Sequence, residues 1–450
     1  MKRTLIVMAL LLIVTGIQAK TKVFKPWSEG KLIVSENHRY LQTSKGTPFF
    51  WLGNTSWLLP ERLNRDEVEC FLNKEREAGF NVEQIQVLNA IPTYNVFGQT
   101  ANNAEFDFKD IDKEGVYSYW NHLDYIVNMA EQNGIFIAMD CIWGSQINKM
   151  NIKQAQAYGT FLGNRYKSHS NIIWMMGGDI RGDVHPEIWD ALARAIKKVD
   201  PNHLMTYHPR GRTTSATWFN DREWLDFNMF QSGHRRYGQR NGDGDYTIKE
   251  NTEEDNWRYV EASQAINPLK PVLDGEPSYE DIPQGLHEFN EPRWKDCDIR
   301  RYAYWSVFSG AFGHTYGHNS IMQFMRPGIQ PAYGAEKAWW DAIKDPGYNQ
   351  MKYLKMLMLT FPFTERIPDQ TIIVGQNGER YDRIIATRGN DYMMIYNYSG
   401  RPMQIDLTKI SGEKKRVWWF NPSNGTLKYI GEFDNKITDF AYDGAYMNNS

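Results

Sequence analysis

The sequence predicts an α/β protein in which a TIM-type (β/α)8 barrel is followed by a small all-β sandwich domain. Three observations carry this. Short apolar runs alternate with amphipathic stretches eight times between Phe49 and Tyr316, the signature of βα units around a parallel sheet. No glycine-rich nucleotide turn follows any run, which disfavours an open doubly wound sheet. From Thr371 the texture changes to short strands separated by Gly, Asn and Pro turns.

The elements follow in order. Met1, Lys2 and Arg3 precede an apolar run from Thr4 to Ile17 that closes on Ala19, the layout of a secretory leader too short to span a bilayer. Residues 1–19 are therefore excluded from the fold, and export to the periplasm is expected, with secretion as the alternative. Lys31 to Ser44 reads as a β-hairpin that plugs the closed end of the barrel. The predicted barrel strands are Phe49–Gly53, Asn81–Leu88, Ile135–Ile142, Ile172–Gly177, Leu204–His208, Phe227–Gln231, Pro271–Gly275 and Gly313–Tyr316. The helices between them are Arg65–Ala78, Tyr117–Gln132, Ile152–Lys167, Pro186–Val199, Glu253–Ile266 and Cys297–Ser309, and a further helical stretch runs from Tyr333 to Leu359.

The barrel domain thus covers 20–365 and the sandwich 366–450, with TIIVG, RIIATRG, YMMIYNYSG, MQIDL, RVWWFNP and TLKYIGEF as strands. No closing strand is obvious near Ser450, so it is expected to be absent or supplied from earlier in the domain. The Trp418 to Phe420 run is expected to pack on the barrel.

Composition excludes several classes. The net charge of -3 becomes about -5 without Lys2 and Arg3, and no basic run of patch length follows, so nucleic acid is not an expected partner. Cys70, Cys141 and Cys297 are odd in number and widely separated, and they read as buried thiols. No cofactor is expected, and a soluble monomer is. Aromatic residues make up 14% of the chain, with 16 Trp and 25 Tyr, and their rings suit the apolar C–H faces of sugars.

In such barrels chemistry collects where strands end at the C-terminal face. Glycosidic cleavage needs two carboxyl groups facing one bond, and two strand ends supply them: Asp179 after NIIWMMGG and Glu276 in KPVLDGEP. Strands four and seven lie on opposite sides of an eight-stranded barrel, so these residues can face each other. Asp274, Asp183 and Glu280 are rivals, and for Asp179 a helix N-cap is the structural alternative. Asp140 reads as a sugar ligand, an orienting partner of Asp179 or a structural carboxylate. Further strand-end candidates for binding substrate are Asn54, Trp57, Gln86, Asn89, Trp143, His208, Arg210, Gln231, His234, Tyr316 and His318. His314 and His318 suggest a metal pair, but a third ligand and a helical acid are missing, so no metal is expected. No Gly-x-Ser-x-Gly elbow occurs.

Together RYLQTSKGTPFFWLGNTSW, DEVECFLNKEREAGFNVEQIQVL, NIIWMMGGD, KPVLDGEPSYE and GAFGHTYGH resemble the apiosidase-like barrels, glycoside hydrolase family 140, over about Asn37 to Asp345. The segment from Thr371 resembles the collagen-binding-type β-sandwich that commonly follows them. The resemblance implies a retaining enzyme with Asp179 as acid/base and Glu276 as nucleophile. It implies exo-action on plant cell-wall glycans, releasing apiose from rhamnogalacturonan II side chains. Gly-Asp at strand four departs from the Asn-Glu of many related barrels and is similar to the family's own pattern. The alternatives are an endo-β-glycanase or arabinofuranosidase-like enzyme of the same mechanism, and a non-catalytic glycan-binding protein.

Overall fold

In the computed structural model, residues 23–101, 106, 108, 111, 115–239 and 254–442 are described. The predicted leader lies outside them.

Eight parallel strands form the barrel: β1 (Trp51–Thr55), β2 (Val82–Gln86), β3 (Phe136–Asp140), β4 (Ile172–Ile180), β5 (Met205–Pro209), β6 (Asn228–Gln231), β7 (Val272–Asp274) and β8 (Gly313–Tyr316). The sheet runs β5-β4-β3-β2-β1-β8-β7-β6, and Thr213–Thr214 adds antiparallel to β6. β5 and β6 close the circle through the Asp226 N–H on the Met205 carbonyl at 2.9 Å and Thr206 Oγ1 on the Phe227 carbonyl at 2.8 Å.

The helical layer comprises α1 (Arg65–Ala78), α2 (Tyr119–Asn133), α3 (Ile152–Tyr166), α4 (Pro186–Val199), α5 (Ala216–Phe219), α6 (Trp257–Gln264), α7 (Asp296–Phe308) and α8 (Pro346–Thr360). Its boundaries have local causes. Asn64, Ser118 and Asn151 each form a capping box with the residue three positions on, and Gly79 and Gly134 close α1 and α2 in the left-handed conformation. Pro186 starts α4 where its missing N–H costs nothing.

The expected helix from Tyr333 to Leu359 is broken. Tyr333 and Gly334 turn with positive φ, Trp339–Ala342 makes one turn, and α8 begins only at Pro346, because proline cannot occupy a helix interior without losing a hydrogen bond. The thiols also differ from expectation: Cys141 is buried, Cys70 is exposed and Cys297 half-buried, since a helix inside a barrel's outer layer buries only one stripe.

Trp51 fills the lower barrel, edge-on to Phe227 and Phe312, with its Nε1 donating to Thr315 Oγ1 at 3.1 Å. Gly53 and Gly313 make room, since a Cβ there would stand 2.4 Å from Trp51 Nε1 and 2.2 Å from the Trp51 carbonyl. Below, Leu32–Val34 pairs with Leu41–Thr43 and then Pro48–Phe49. Trp27 and Phe49 pack edge-on against Phe136 at the start of β3, so the hairpin covers the closed end.

Between β1, β2 and the helices two acids meet. Glu75 accepts from Asn54 Nδ2 and Tyr348 Oη, both at 2.9 Å, and Glu83 accepts from Ser56 Oγ at 2.7 Å. Burial pushes Glu75 up to about 7 against those hydrogen bonds, and burial together with the Glu75 charge pushes Glu83 well above the carboxylate range. The folded state therefore binds more protons than the unfolded chain from about pH 4.5 upward, Glu75 releasing its proton near 7 and Glu83 above that. Stability is expected to be flat below about pH 4.5 and to fall as pH rises through and beyond 7. Denaturant titrations at pH 5 and pH 8 measure this. Glu75→Gln should lessen the difference, removing the Glu75 titration and the charge that helps raise Glu83, and an unchanged difference in that variant would refute the assignment.

The C-terminal region forms three small sheets: Ile367–Pro368, Ile384–Arg388 and Met393–Asn397; Met403–Asp406 with Ile437–Phe440; and Lys414–Phe420 with Leu427–Asp434. TIIVG is not a strand but a 3-10 turn, Gln370–Ile372, followed by one bridge from Ile373 to Ile405. The WWF run divides. Phe420 packs towards the barrel core and Trp419 on the sandwich core, but Trp418 is exposed beside Tyr429, because Val417 and Trp419 both take the sandwich-core face and strand alternation turns the residue between them outward. Fully buried Arg301 of α7 clasps the two domains. It donates to Glu254 Oε2 at 2.7 Å and lies over Tyr302, Trp305, Tyr381 and Tyr398 at 4.7 to 5.4 Å.

Candidate active site

β4 ends in a reversal that only its sequence permits. Gly177, Gly178 and Asp179 have φ of 99°, 93° and 54°. A Cβ at Gly177 would meet the His208 carbonyl at 2.2 Å, and one at Gly178 would meet Asp140 Oδ2 and Trp143 Cε3 at 2.6 Å. The left-handed conformation costs a non-glycine residue roughly 1–2 kcal/mol, and it lifts the Asp179 carboxyl off the strand. Asp179 caps no helix, since the N-cap of α4 is His185.

β7 ends at Asp274, and the chain then carries Glu276 into the mouth. Gln84 of β2 reaches across the barrel interior to the Gly275 carbonyl at 3.0 Å, and the Gly233 N–H bonds the Glu276 carbonyl at 3.0 Å, so the backbone on both sides of the carboxylate is held. His234 Nε2 lies 2.9 Å from Glu276 Oε1, and His208 Nε2 lies 3.2 Å from Oε2 in a less well aligned approach. Each imidazole accepts at Nδ1 from a backbone N–H, His208 from Asp179 and His234 from Tyr279, both at 3.4 Å. Nε2 of each ring therefore carries the hydrogen aimed at Glu276.

The two carboxyls are driven apart. Glu276 is buried, which alone would raise it, but the hydrogen bonds from His208 and His234 outweigh this and hold it down at about 2. Asp179 is exposed at the rim, with its carboxyl among the titratable groups of the mouth. Burial first, and the Glu276 charge second, push it up to about 6 against His208, His234 and Arg210. One carboxyl pushed up opposite one held down is the separation that acid–nucleophile chemistry needs.

Around this pair the structure gathers several of the sequence-derived residues. Trp57 meets His208 edge-on at 5.3 Å and Trp143 at 5.5 Å. Gln86 and Gln231 end β2 and β6 on the inward-facing rows of Gln84 and Met229, each with a buried Oε1 that has no partner among the described residues. Arg210 follows β5, exposed, with its charge acting on Asp179.

Others lie elsewhere. Asn54 and Tyr316 face the helical layer, one on Glu75 and the other donating to Glu280 Oε2 at 2.6 Å. His318 bonds Asp345 at 2.9 Å and accepts from the Ser320 N–H, capping a short helix. His314 faces the same layer, and burial lowers it to about 3. Asn89 is half-buried beside Glu61. Asp140 is fully buried with its carboxyl against Gly178, and burial pushes it well above the usual range, so it meets the backbone of the acid loop rather than the open mouth.

The rivals are also accounted for. Asp274 is bonded by Ser232 and Asn256, Glu280 accepts the Gly347 and Tyr348 N–H groups at the start of α8, and Asp183 pairs with Arg181 at 2.6 Å. A recess at the opposite barrel end, lined by Phe49, Arg76, Asn81 and Lys355, holds none of the strand-end acids.

Three residues of the site were missed. Gln84 shares the inward face of Gln86, an alternation visible in VEQIQ. Tyr279, whose ring meets His234 at 4.6 Å, stands three places after Glu276. Tyr333 lies in a stretch expected to be helical and gave no signal.

A (β/α)8 barrel with one raised and one lowered carboxyl at the C-terminal ends of strands four and seven is the architecture of a glycoside hydrolase. The model of the family described as "Apiosidase-like, catalytic domain" matches residues 35–365, and this chain belongs to that family. Residues 367–450 match a second model, described as "Putative collagen-binding domain of a collagenase". Among solved structures, one described as a glycoside hydrolase is 64% identical with a TM-score of 0.93, covering 95% of this chain and 96% of its own. A glycoside hydrolase family 5 protein from Bacteroides vulgatus ATCC 8482 is 66% identical with a TM-score of 0.93, covering 95% and 93%. No curated protein matches.

Proposed function

We propose that this glycoside hydrolase is an exported, retaining, exo-acting enzyme that removes apiose from pectic side chains of the rhamnogalacturonan II type. The observation that carries the mechanism is the split between the two carboxyls: Glu276 under two imidazole N–H donors, and Asp179 raised by burial and by Glu276 itself.

In the first step a Glu276 oxygen attacks the anomeric carbon, the bond to the leaving oxygen breaks, and that oxygen takes the Asp179 proton. Water then adds to the anomeric carbon and gives its proton to Asp179 as the bond to Glu276 breaks. His208 and His234 hold the nucleophile and accept no proton in either step. Trp57 and Trp143 supply the aromatic wall against which a sugar face can stack. The substrate rests on the family's description, and periplasmic action as a monomer accompanies the predicted leader.

The test is the time course of product anomers by proton NMR on a panel of pectic side-chain, xylan and glucan oligosaccharides. Apiose appearing first with the anomeric configuration of the substrate supports the whole reading. Retention with another sugar keeps the mechanism and discards the substrate. Inversion discards double displacement, and glycan binding without turnover discards catalysis.

A further inference from the structure

Tyr333 stands out once the mouth is mapped. It lies in the connection between β8 and α8, and its φ of 50° is one that a bulky residue adopts only when its surroundings enforce it. The enforcement is visible on three consecutive residues. Gln323, buried, clamps Ala332 from both sides, donating to its carbonyl at 3.0 Å and accepting its N–H at 2.8 Å. Asn319, fully buried, donates to the Tyr333 carbonyl at 2.9 Å. Arg293 donates to the Gly334 carbonyl at 2.7 Å.

Such strain, held by dedicated side chains, accumulates where a residue must point at a ligand. The half-buried ring sits on the loop that leaves the C-terminal end of β8, at the rim of the mouth. Burial raises its phenol, and then the charges of both Asp179 and Glu276 raise it further, which places the hydroxyl within reach of both fields. Its ring neighbour is His287 at 5.5 Å, and none of the other site residues is held from this loop.

Resting on the glycosidase reading above, we propose that Tyr333 is a substrate-contacting, specificity-determining residue whose phenol hydroxyl donates a hydrogen bond to a ring hydroxyl of the sugar held between Asp179 and Glu276. A sugar lacking that hydroxyl leaves the half-buried donor facing it unpaired. Sites built around such a bond discriminate strongly against the analogue that lacks it.

The experiment compares wild type, Tyr333→Phe and Tyr333→Gly on the sugar that wild type releases and on its monodeoxy aryl glycosides, with a thermal melt of each protein. Expected is a roughly 10- to 100-fold loss of kcat/KM for Tyr333→Phe with an unchanged melt, and disappearance of that loss on one monodeoxy glycoside only. Tyr333→Gly relieves the strained φ, so it should melt no lower than wild type while losing at least as much activity. Equal kcat/KM for Tyr333→Phe and wild type, or the same loss on every monodeoxy glycoside, would overturn the proposal. Wild type cleaving nothing in the panel would refute the glycosidase reading separately. Calorimetric titration of the same oligosaccharides into wild type and Tyr333→Phe would then decide the contact, with weaker binding by Tyr333→Phe supporting it and equal or absent binding overturning it.

Discussion

Glu276→Ala is expected to lower kcat on the order of 10^4-fold or more, the scale on which covalent nucleophiles are lost, while the protein keeps its melting behaviour. The carboxylate is bonded only by groups of the mouth, so its removal opens space without uncovering a buried charge. A small anion such as azide, able to enter that space, should restore turnover and give the opposite anomeric product. Asp179→Ala should lose about 10^2- to 10^4-fold on sugars with poor leaving groups and much less on activated aryl glycosides, which need no proton.

The pH profile follows from the same two groups. Activity requires Asp179 protonated and Glu276 ionised, so kcat/KM should fall as pH rises past about 6 and hold on the acid side towards about 2, as far as the fold survives. In Glu276→Gln the negative neighbour is gone while burial remains, so the Asp179 carboxyl, followed by carbon-detected NMR, should titrate lower than in wild type. An unmoved Asp179 would mean that the carboxyls do not sense each other, and the assigned roles would fall with it.

Arg301→Ala should be the most damaging change away from the mouth. The guanidinium is fully buried, bonded to Glu254 and covered by four aromatic rings contributed by both domains. Its loss strands the Glu254 carboxylate, which among the described residues keeps the N–H of Tyr237 and the hydroxyl of Tyr381. Removing one partner of a buried ion pair costs about 3–5 kcal/mol. Scanning calorimetry should show a lower melting temperature. Arg301→Met combined with Glu254→Gln should recover much of it, because no charge is then left unpaired. A single variant melting with wild type would show the clasp to be idle.

Legibility in the sequence tracked locality. α1 and α4 were readable to the residue because Asn64 with Glu67, Gly79 and Pro186 mark their ends with nearest-neighbour chemistry. All eight barrel strands were readable as apolar runs. The stretch from Tyr333 was not, since its composition is helical while its course is set by Gln323, Asn319 and Arg293 from elsewhere in the chain.

At the mouth, carboxylates after Gly-Gly and in Gly-Glu-Pro announced themselves through the backbone around them. Polar residues on the strands did not, because one step of alternation decides between mouth and helical layer. Gln86 ends its strand on the inward row, whereas Asn54 and Tyr316 end theirs one position off it and serve Glu75 and Glu280 instead. The strand-end rule finds the rim, and parity, which short strands leave ambiguous, chooses the side.

The two imidazoles under Glu276 carry a consequence for anyone reshaping this enzyme. Each is tethered at Nδ1 to a loop amide, His208 to that of Asp179 and His234 to that of Tyr279. Libraries that vary positions 177–179 in search of new substrates will thus detune the basicity of the opposite carboxylate while moving the acid, and most members will be lost to that cross-talk. Diversity placed at Gln86 and Gln231, whose Oε1 atoms have no partner among the described residues, leaves both tethers in place, and is where a change of preference should be selectable with the Glu276 cradle undisturbed.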